Sequence, residues 1–317
     1  MKSGHAKQQT LLLLLVALVL LTGAALFLLT EQQKREEQAS SEAAEGSIVL
    51  SSVRSKDLRQ IEIVYQGQTL TLDYTDGNWT LAEDPDYHLD TTACNTMLTA
   101  LADLRAKREI TAEAGEDYGL SDPQVTLRVT AADEAAEFAF GSENPVTGDL
   151  YLKKEGSDGI YTVSATRAAC FEKTKADLFG AFNPAGLTSS EIEAVTLTDP
   201  DGKTVALAAS SEPTQADSAT YETVWRNRDD PSAELDAASV QSLLSALSGY
   251  VTGQITDADP AAYGLKTLVT AEVTAGEKSC TLTYHDGTDG YYLTVNGDDS
   301  LYTIDGTILE AFRNFGG

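Results

Sequence analysis

The chain has 317 residues, with 22 basic and 49 acidic side chains and a formal net charge of −27. This length accommodates two ordinary domains, and an apolar content of 42% is enough to build folded cores. So acidic a surface repels nucleic acid and anionic lipid headgroups, because both kinds of binding draw their affinity from Lys and Arg. The composition excludes nucleic acid as a partner. It is compatible with a basic partner or a cation, or simply with a well-solvated surface.

Residues 11–29 form an apolar run without a single charge. As a helix rising about 1.5 Å per residue, the run nearly spans a hydrocarbon layer of about 30 Å. A cleaved signal peptide is the alternative, but its apolar region is shorter and is followed by a small-residue cleavage site. We therefore predict a retained transmembrane anchor over residues 10–30, with membrane lipid as the partner of residues 11–29.

The segment before the anchor is short and contains Lys2 and Lys7 but no acid. Short basic N-termini stay inside the cell, while a long C-terminal part is exported. We predict a cytoplasmic head over residues 1–9 and a single-pass membrane protein whose bulk is extracytoplasmic. Residues 31–47 lack large apolar side chains and are predicted to be an acidic spacer.

An internal duplication organises the rest of the chain. Residues 149–163 align without gaps on residues 290–304, with six identical positions where chance would give about one. The identical pairs are Tyr151 and Tyr292, Leu152 and Leu293, Gly156 and Gly297, Asp158 and Asp299, Tyr161 and Tyr302, and Thr162 and Thr303. Upstream matches are Trp79 with Trp225, Asp90 with Asp236, Leu98 with Leu244, Leu101 with Leu247, and Tyr118-Gly119-Leu120 with Tyr263-Gly264-Leu265. We predict a first repeat over residues 48–182 and a second repeat over residues 183–317.

Each repeat shows alternating strand patterns on both sides of one helical pattern. In the first repeat, predicted strands cover residues 61–65, 69–74, 79–81, 125–130, 137–140, 150–153 and 160–163. In the second, they cover residues 194–198, 204–207, 223–225, 269–274, 280–284, 291–295 and 301–304. The predicted fold class is α+β: two tandem modules, each an antiparallel sheet with helices packed on it, preceded by one transmembrane helix.

The helical patterns begin at Asp90 and Asp236, which are predicted N-caps. Their apolar faces are predicted to contain Cys94, Met97, Leu98, Leu101 and Leu104 in the first repeat, and Val240, Leu243, Leu244, Leu247 and Tyr250 in the second. Closing helices are predicted from about residue 166 to 178 and from about 306 to 315. Cys94 and Cys280 fit small core residues, and no cysteine pair has C-x-x-C spacing.

The repeated aromatic motifs are predicted to be structural. In Tyr118-Gly119-Leu120 and Tyr263-Gly264-Leu265, glycine can take a positive φ where a loop enters a strand, with Tyr and Leu packing on either side. The equivalent Trp79 and Trp225 are predicted core anchors of the module, and the equivalent Tyr161 and Tyr302 are predicted to be structural motif residues.

These motifs resemble the domain-of-unknown-function family 4340. The features that carry the resemblance are Trp79-Thr80-Leu81, the Asp90 cap, Tyr118-Gly119-Leu120 with Pro123, and Tyr151-Leu152 with Tyr161. The second repeat departs from the pattern, with Trp225-Arg226-Asn227 in place of Trp-x-Leu and Lys266-Thr267-Leu268 where the proline would be. The resemblance implies a membrane-anchored bacterial protein associated with ABC transport systems of the gliding-motility type. It implies no catalytic residues.

Few residues are candidates for chemistry. His88 and His285 occupy unrelated positions, and no phosphate-binding or metalloprotease motif occurs. Asp84 and Asp86, with Asp229 and Asp230 at equivalent positions, are the only paired carboxylates of interest for an acid/base mechanism, and turns explain them more simply. We therefore expect no enzyme activity and no cofactor.

Three short acidic segments contain closely spaced oxygens, as calcium prefers. They supply the weak candidate ligands Asp199, Asp201, Asp257, Asp259, Asp298 and Asp299. None follows the EF-hand loop, and Asp, Asn and Gly are also the usual residues of tight turns.

The leading expectation for function is an extracytoplasmic binding or assembly protein, an accessory subunit of a membrane complex such as an ABC transporter. Its partners would be a permease or an auxiliary subunit. The alternatives are a cell-envelope hydrolase that uses paired carboxylates, and a structural tether or sensor.

Overall fold

The computed structural model describes residues 48–113, 115–132, 134–214, 220–233 and 235–315. The predicted head, transmembrane anchor and spacer, residues 1–47, lie outside the described residues. Among the helices that are described, none is long and apolar enough to cross a membrane.

The described chain is mostly β. In the first repeat the strands are β1 (Ile48–Ser51), β2 (Leu58–Tyr65), β3 (Gln68–Thr75), β4 (Asn78–Leu81), β5 (Leu104–Ala106), β6 (Arg108–Ile110), β7 (Val125–Ala131), β8 (Ala135–Glu143), β9 (Leu150–Lys154) and β10 (Ile160–Val163). In the second repeat they are β11 (Ala194–Thr198), β12 (Thr204–Pro213), β13 (Tyr221–Asn227), β14 (Gly253–Ile255), β15 (Lys266–Ala275), β16 (Lys278–Gly287), β17 (Gly290–Val295) and β18 (Leu301–Ile304). All fourteen runs predicted as strands are strands.

The two repeats form two antiparallel sheets of eight strands with the same strand order. The first sheet runs β4-β3-β2-β7-β8-β9-β10-β6, and the second runs β13-β12-β11-β15-β16-β17-β18-β14. Each strand occupies the place of its sequence equivalent, which supports the duplication. Strands β1 and β5 form a separate two-stranded sheet. Four strands were not predicted, β1, β5, β6 and β14; the last three have only three residues each, too few to show alternation.

The helices are few: α1 (Thr91–Ala102), the single turn α2 (Ala165–Ala168) and α3 (Ala237–Leu247). Both predicted N-caps are confirmed. The Asp90 carboxylate accepts hydrogen bonds from the N–H groups of Thr92 and Ala93, and the Asp236 carboxylate accepts one from the N–H of Ser239. Hydrogen bonds from the hydroxyl and N–H of Ser239 hold the pKa of Asp236 below its ordinary value.

The predicted helical faces are largely confirmed, with two errors. Leu104 is buried but lies in β5, and Tyr250 is 68% exposed because α3 ends at Leu247. Cys94 and Cys280 are buried free thiols, as predicted, and burial raises the pKa of Cys94 to about 12.

The predicted closing helix of the first repeat is α-helical only over α2, and that of the second repeat is wrong in type. In the first repeat, α2 is followed by separate 3₁₀ turns at Ala169–Phe171 and Ala176–Leu178. The Asp177 carboxylate accepts bonds from the N–H and hydroxyl of Thr174, a local pairing that competes with a continuous helix. In the second repeat, Gly306–Phe312 is a 3₁₀ helix.

The chain divides into two compact units. Of the described residues, the first unit contains those up to Thr69 and Thr96–Glu172, and the second contains Leu70–Asn95 and those from Lys173 onward. In the second unit, buried residues of the sheet and of α3 belong to one core, which includes Leu197, Leu282 and Leu244. The predicted repeat boundary at residues 182/183 stays a prediction.

Candidate functional site

The Tyr118-Gly119-Leu120 motif anchors a loop onto a strand. Tyr118 and Gly119 have φ values of 58° and 71°, and the Ser142 N–H donates a 2.9 Å hydrogen bond to the Tyr118 carbonyl. The Tyr118 ring meets the Tyr151 ring edge-on, with centroids 4.8 Å apart. The predicted positive φ at the glycine is confirmed.

The second repeat uses the same contacts. Gly264 has a φ of 59°, the Thr288 N–H donates to the Tyr263 carbonyl at 2.9 Å, and the Tyr263 ring lies edge-on to Tyr292 at 5.6 Å. The structure thus brings an equivalent pair of tyrosines together in each repeat. Leu120 and Leu265 are half-buried beside them.

Tyr161 and Tyr302 lie on equivalent strands in different surroundings. The Tyr161 hydroxyl is 2.9 Å from the Ser157 hydroxyl, whereas the buried Tyr302 ring meets Phe182 edge-on at 5.7 Å. These contacts hold loops and core in place, in agreement with the structural interpretation of the motif residues.

Asp84 is the most buried of the candidate carboxylates, with 9% exposure, and it lies in the second unit. It accepts a 2.6 Å charge-assisted hydrogen bond from Lys175 Nζ and a 2.5 Å bond from the Thr256 hydroxyl. The Lys175 ammonium also lies over the Tyr87 ring, 4.5 Å from its centroid. Burial and the negative charge of Asp84 raise the pKa of Tyr87 to about 12. Asp84 therefore serves as the centre of a structural ion pair.

Gln254 secures the same loop. Its amide donates to the Asp86 carbonyl at 3.0 Å and accepts from the His88 N–H at 2.9 Å. His88 is exposed, places Nδ1 2.7 Å from the Gly180 carbonyl, and stacks on Phe182 with ring centroids 4.0 Å apart. The ring is thus held by packing at the end of a loop.

The remaining candidate carboxylates are exposed. Asp230 accepts bonds from the N–H and hydroxyl of Ser232, and these bonds hold its pKa below the ordinary value. A general acid needs the opposite shift. Asp86 and Asp229 are also exposed. One predicted pair therefore has a buried member, Asp84, whereas both members of the other pair are exposed. His285 lies on β16 near the hydroxyls of Thr267 and Thr294, and burial lowers its pKa.

The candidate calcium ligands make the contacts of turns. Asp199 accepts from the N–H groups of Asp201 and Lys203, Asp259 caps the 3₁₀ turn Pro260–Tyr263, and Asp298 accepts from the N–H of Asp299. The N–H of Ala258 donates to the Asp299 carbonyl, so the segment with Asp257 and Asp259 reaches the turn with Asp298. Within the described ranges, no three His, Cys, Asp or Glu residues lie close enough together to hold a metal. Calcium binding stays the weaker of the two hypotheses for these segments.

The two tryptophans differ most between the repeats. Trp79 is 7% exposed; its indole N–H donates to the Asn95 side chain on α1 at 3.0 Å, and its ring centroid lies 4.6 Å from that of Tyr74. Trp79 is an anchor, as predicted.

Trp225 is half-buried and packs against the core of the second unit, in part as predicted, but it also faces a groove of about 560 Å³ between β13 and α3. Gln241 stands on α3 where the first repeat has Asn95, and it lines the groove without bonding the indole. No described residue accepts a hydrogen bond from the Trp225 indole N–H. Apolar side chains form the walls of the groove: Ile192, Leu235, Val240 and Leu244.

Strand β13 is the edge strand beside this groove. At one end the Arg228 N–H donates to the Ala206 carbonyl, and at the other the Thr214 N–H donates to the Thr220 carbonyl. Bonded and non-bonded pairs alternate in an antiparallel ladder. The register therefore directs the backbone groups of Tyr221, Thr223, Trp225 and Asn227 away from β12, to the free edge.

The equivalent edge in the first repeat is shorter, and the chain that follows it covers one of its outward carbonyls. Strand β4 has four residues where β13 has seven. The Asp84 N–H donates to the Leu81 carbonyl, and the two residues form an isolated β-bridge. Only the second repeat leaves a long edge open in the part of the chain that the structure describes.

The groove and the open edge were not predicted from the sequence, because both tryptophans were interpreted as core anchors. Two signals were present. Gln241 replaces Asn95, and Trp225-Arg226-Asn227 replaces Trp79-Thr80-Leu81. Lys175 and Thr256, which bind Asp84, lie too far along the chain from it for a sequence motif to connect them.

The family model described as a domain of unknown function (DUF4340) matches residues 79–267. That range takes in Trp79, both Tyr-Gly-Leu motifs, Trp225 and α3. No curated protein and no solved structure matches the chain.

Proposed function

Since the chain belongs to the DUF4340 family, a domain of unknown function, we propose that it is an extracytoplasmic binding and assembly protein of a membrane complex. A transmembrane helix over residues 11–29 holds it at the bilayer, and its two α+β repeats lie outside the cytoplasm. The complex is an ABC transport system, with a permease or an auxiliary subunit as the direct partner.

The observation that carries this proposal is a difference between the two repeats at their equivalent tryptophans and edge strands. The first repeat binds its tryptophan indole with Asn95 and covers the Leu81 carbonyl of its four-residue edge strand with Asp84. The second repeat leaves a groove of about 560 Å³ and a seven-residue edge strand open at the same place. The groove is concave and combines apolar side chains with polar groups, as binding sites do, so the second repeat is assigned to the partner and the first to the scaffold.

The test is crosslinking in native membranes, followed by detergent extraction and purification of the full chain. We expect an integral membrane protein of a transport system to co-purify with it in stable proportion. Purification of the crosslinked chain by itself would contradict the proposal. The topology control is protease added to cells whose cell membrane is intact but whose outer layers have been made permeable. The protease is expected to digest the repeats.

A further inference from the structure

We propose that the groove between β13 and α3 binds an extended basic segment of a partner polypeptide, which adds to the second sheet as an edge strand. The inference rests on the proposed function and names the chemistry of its partner. Strand addition supplies affinity through main-chain hydrogen bonds and selectivity through side-chain pockets.

The backbone of β13 offers the hydrogen bonds. Thr223 and Trp225 direct their N–H and C=O groups to the free edge of β13, and no described residue bonds to them. A row of such groups is a template for another strand. Seven residues of β13 offer four outward positions, enough to fix the register of an added strand.

The groove offers the side-chain pockets. An added strand would run beside β13 with alternate side chains directed over Trp225 toward α3, where Leu235, Val240 and Leu244 form an apolar wall. The unpaired indole N–H of Trp225 is a donor for a carbonyl or side-chain oxygen of the incoming segment. An apolar residue at alternate positions therefore fits this surface.

Charge selects the kind of segment. Glu222 is the charged side chain among the described residues that line the groove. Arg226, on the same strand, is already neutralised by a two-fold hydrogen bond to Glu212. With a net charge of −27, the chain attracts Lys and Arg and repels a second copy of itself.

The experiment uses the full-length chain in nonionic detergent and a fluorescent seven-residue peptide of alternating Lys and Val. Fluorescence anisotropy at physiological salt is expected to show saturable binding. An otherwise identical peptide, N-methylated at the amides that face β13, keeps its charge but loses its donors. It is expected to bind at least about tenfold more weakly, as is an alternating Glu and Val peptide.

Two variants test the site itself. Thr223→Pro removes an outward N–H that β12 does not use, so folding is retained while peptide affinity falls about tenfold. Trp225→Phe weakens binding about threefold through the lost indole donor, whereas the matched Trp79→Phe leaves binding unchanged. Thermal unfolding checks that each variant is folded.

Equal binding of the N-methylated peptide, or of the parent peptide to Thr223→Pro, would overturn strand addition, as would the absence of binding to the wild-type chain. A concentration-dependent dimer that Thr223→Pro dissociates would overturn it in favour of self-pairing. If the Thr223→Pro chain still co-purifies with its membrane partner, this groove assignment fails while the proposed function stands. If the wild-type chain co-purifies with nothing, the proposed function itself fails.

Discussion

Gly119→Ala is expected to lower the free energy of unfolding by about 3 kcal/mol, measured by urea denaturation. Gly119 has a φ of 71°, a conformation that costs any residue with a Cβ about 1 kcal/mol. A Cβ built there would lie 2.6 Å from the backbone nitrogen of Ser142. That nitrogen donates to the Tyr118 carbonyl, so relief of the clash breaks the bond that anchors the loop.

Two other glycines separate the cost of the positive φ from the cost of the contact with Ser142. Gly67 has a φ of 74° and nothing within 4 Å of a Cβ, so Gly67→Ala is expected to cost only the conformational part, about 1 kcal/mol. At Gly264 the nearest atom is the side-chain hydroxyl of Thr288, which can rotate away, so Gly264→Ala falls between the two. Equal losses for Gly119→Ala and Gly67→Ala would refute the role given to the contact with Ser142.

Asp84→Ala is expected to lower the free energy of unfolding by about 2 kcal/mol. The substitution removes the acceptor of Lys175 and Thr256 in a site where the carboxylate is buried. The figure is below that of a fully buried ion pair, because the Lys175 side chain is 39% exposed and can turn to water. Differential scanning calorimetry of the full chain measures the loss.

Asp84→Asn and Asp86→Ala are the controls. The amide keeps an acceptor for Thr256 but loses the charge, so it is expected to cost less than alanine. Asp86 is exposed, and its backbone carbonyl, which Gln254 binds, is retained in Asp86→Ala, so this variant is expected to leave stability unchanged. An Asp84→Ala chain as stable as the wild type would show that the ion pair contributes nothing.

The sheets were predictable because the alternation of apolar and polar residues predicts the strands, and the duplication predicts the same strands in both repeats. Val125, Leu127 and Val129 of β7 are buried on one face, and the equivalent strand β15 repeats the pattern at Val269, Ala271 and Val273. The caps at Asp90 and Asp236 were equally predictable, because an Asp directly before an apolar helical pattern accepts hydrogen bonds from the first N–H groups of the helix.

Other features depend on contacts that no local pattern records. Residues 166–178 contain good helix-forming side chains, yet the helix does not continue past α2 and one 3₁₀ turn, and the pairing of Thr174 with Asp177 begins a separate 3₁₀ turn. The short strands β6 and β14 are held by pairing with β10 and β18. Hydrogen bonds formed only in the folded chain decide both cases.

The candidate site was hidden by the same duplication that revealed the fold. Equivalence suggested one role for Trp79 and Trp225, but Asn95 binds the first indole, whereas Gln241 at the equivalent position does not bind the second, which faces a groove. The openness of an edge strand depends on the path of the chain after the strand ends. In the first repeat the chain folds back so that Asp84 forms a bridge with Leu81, and no such bridge occurs among the described residues that follow β13.

The most direct test of the proposed binding role is photo-crosslinking from two tyrosines of similar exposure. Tyr221 lies on β13 and is 62% exposed, and Tyr250 follows α3, does not line the groove and is 68% exposed. Each is replaced in turn by a benzophenone-bearing phenylalanine, and the full chain is irradiated in native membranes. We expect a covalent adduct with a membrane-complex protein from position 221 and none from position 250. An adduct from position 250 alone, or from neither position, would contradict the assignment of this surface to a partner.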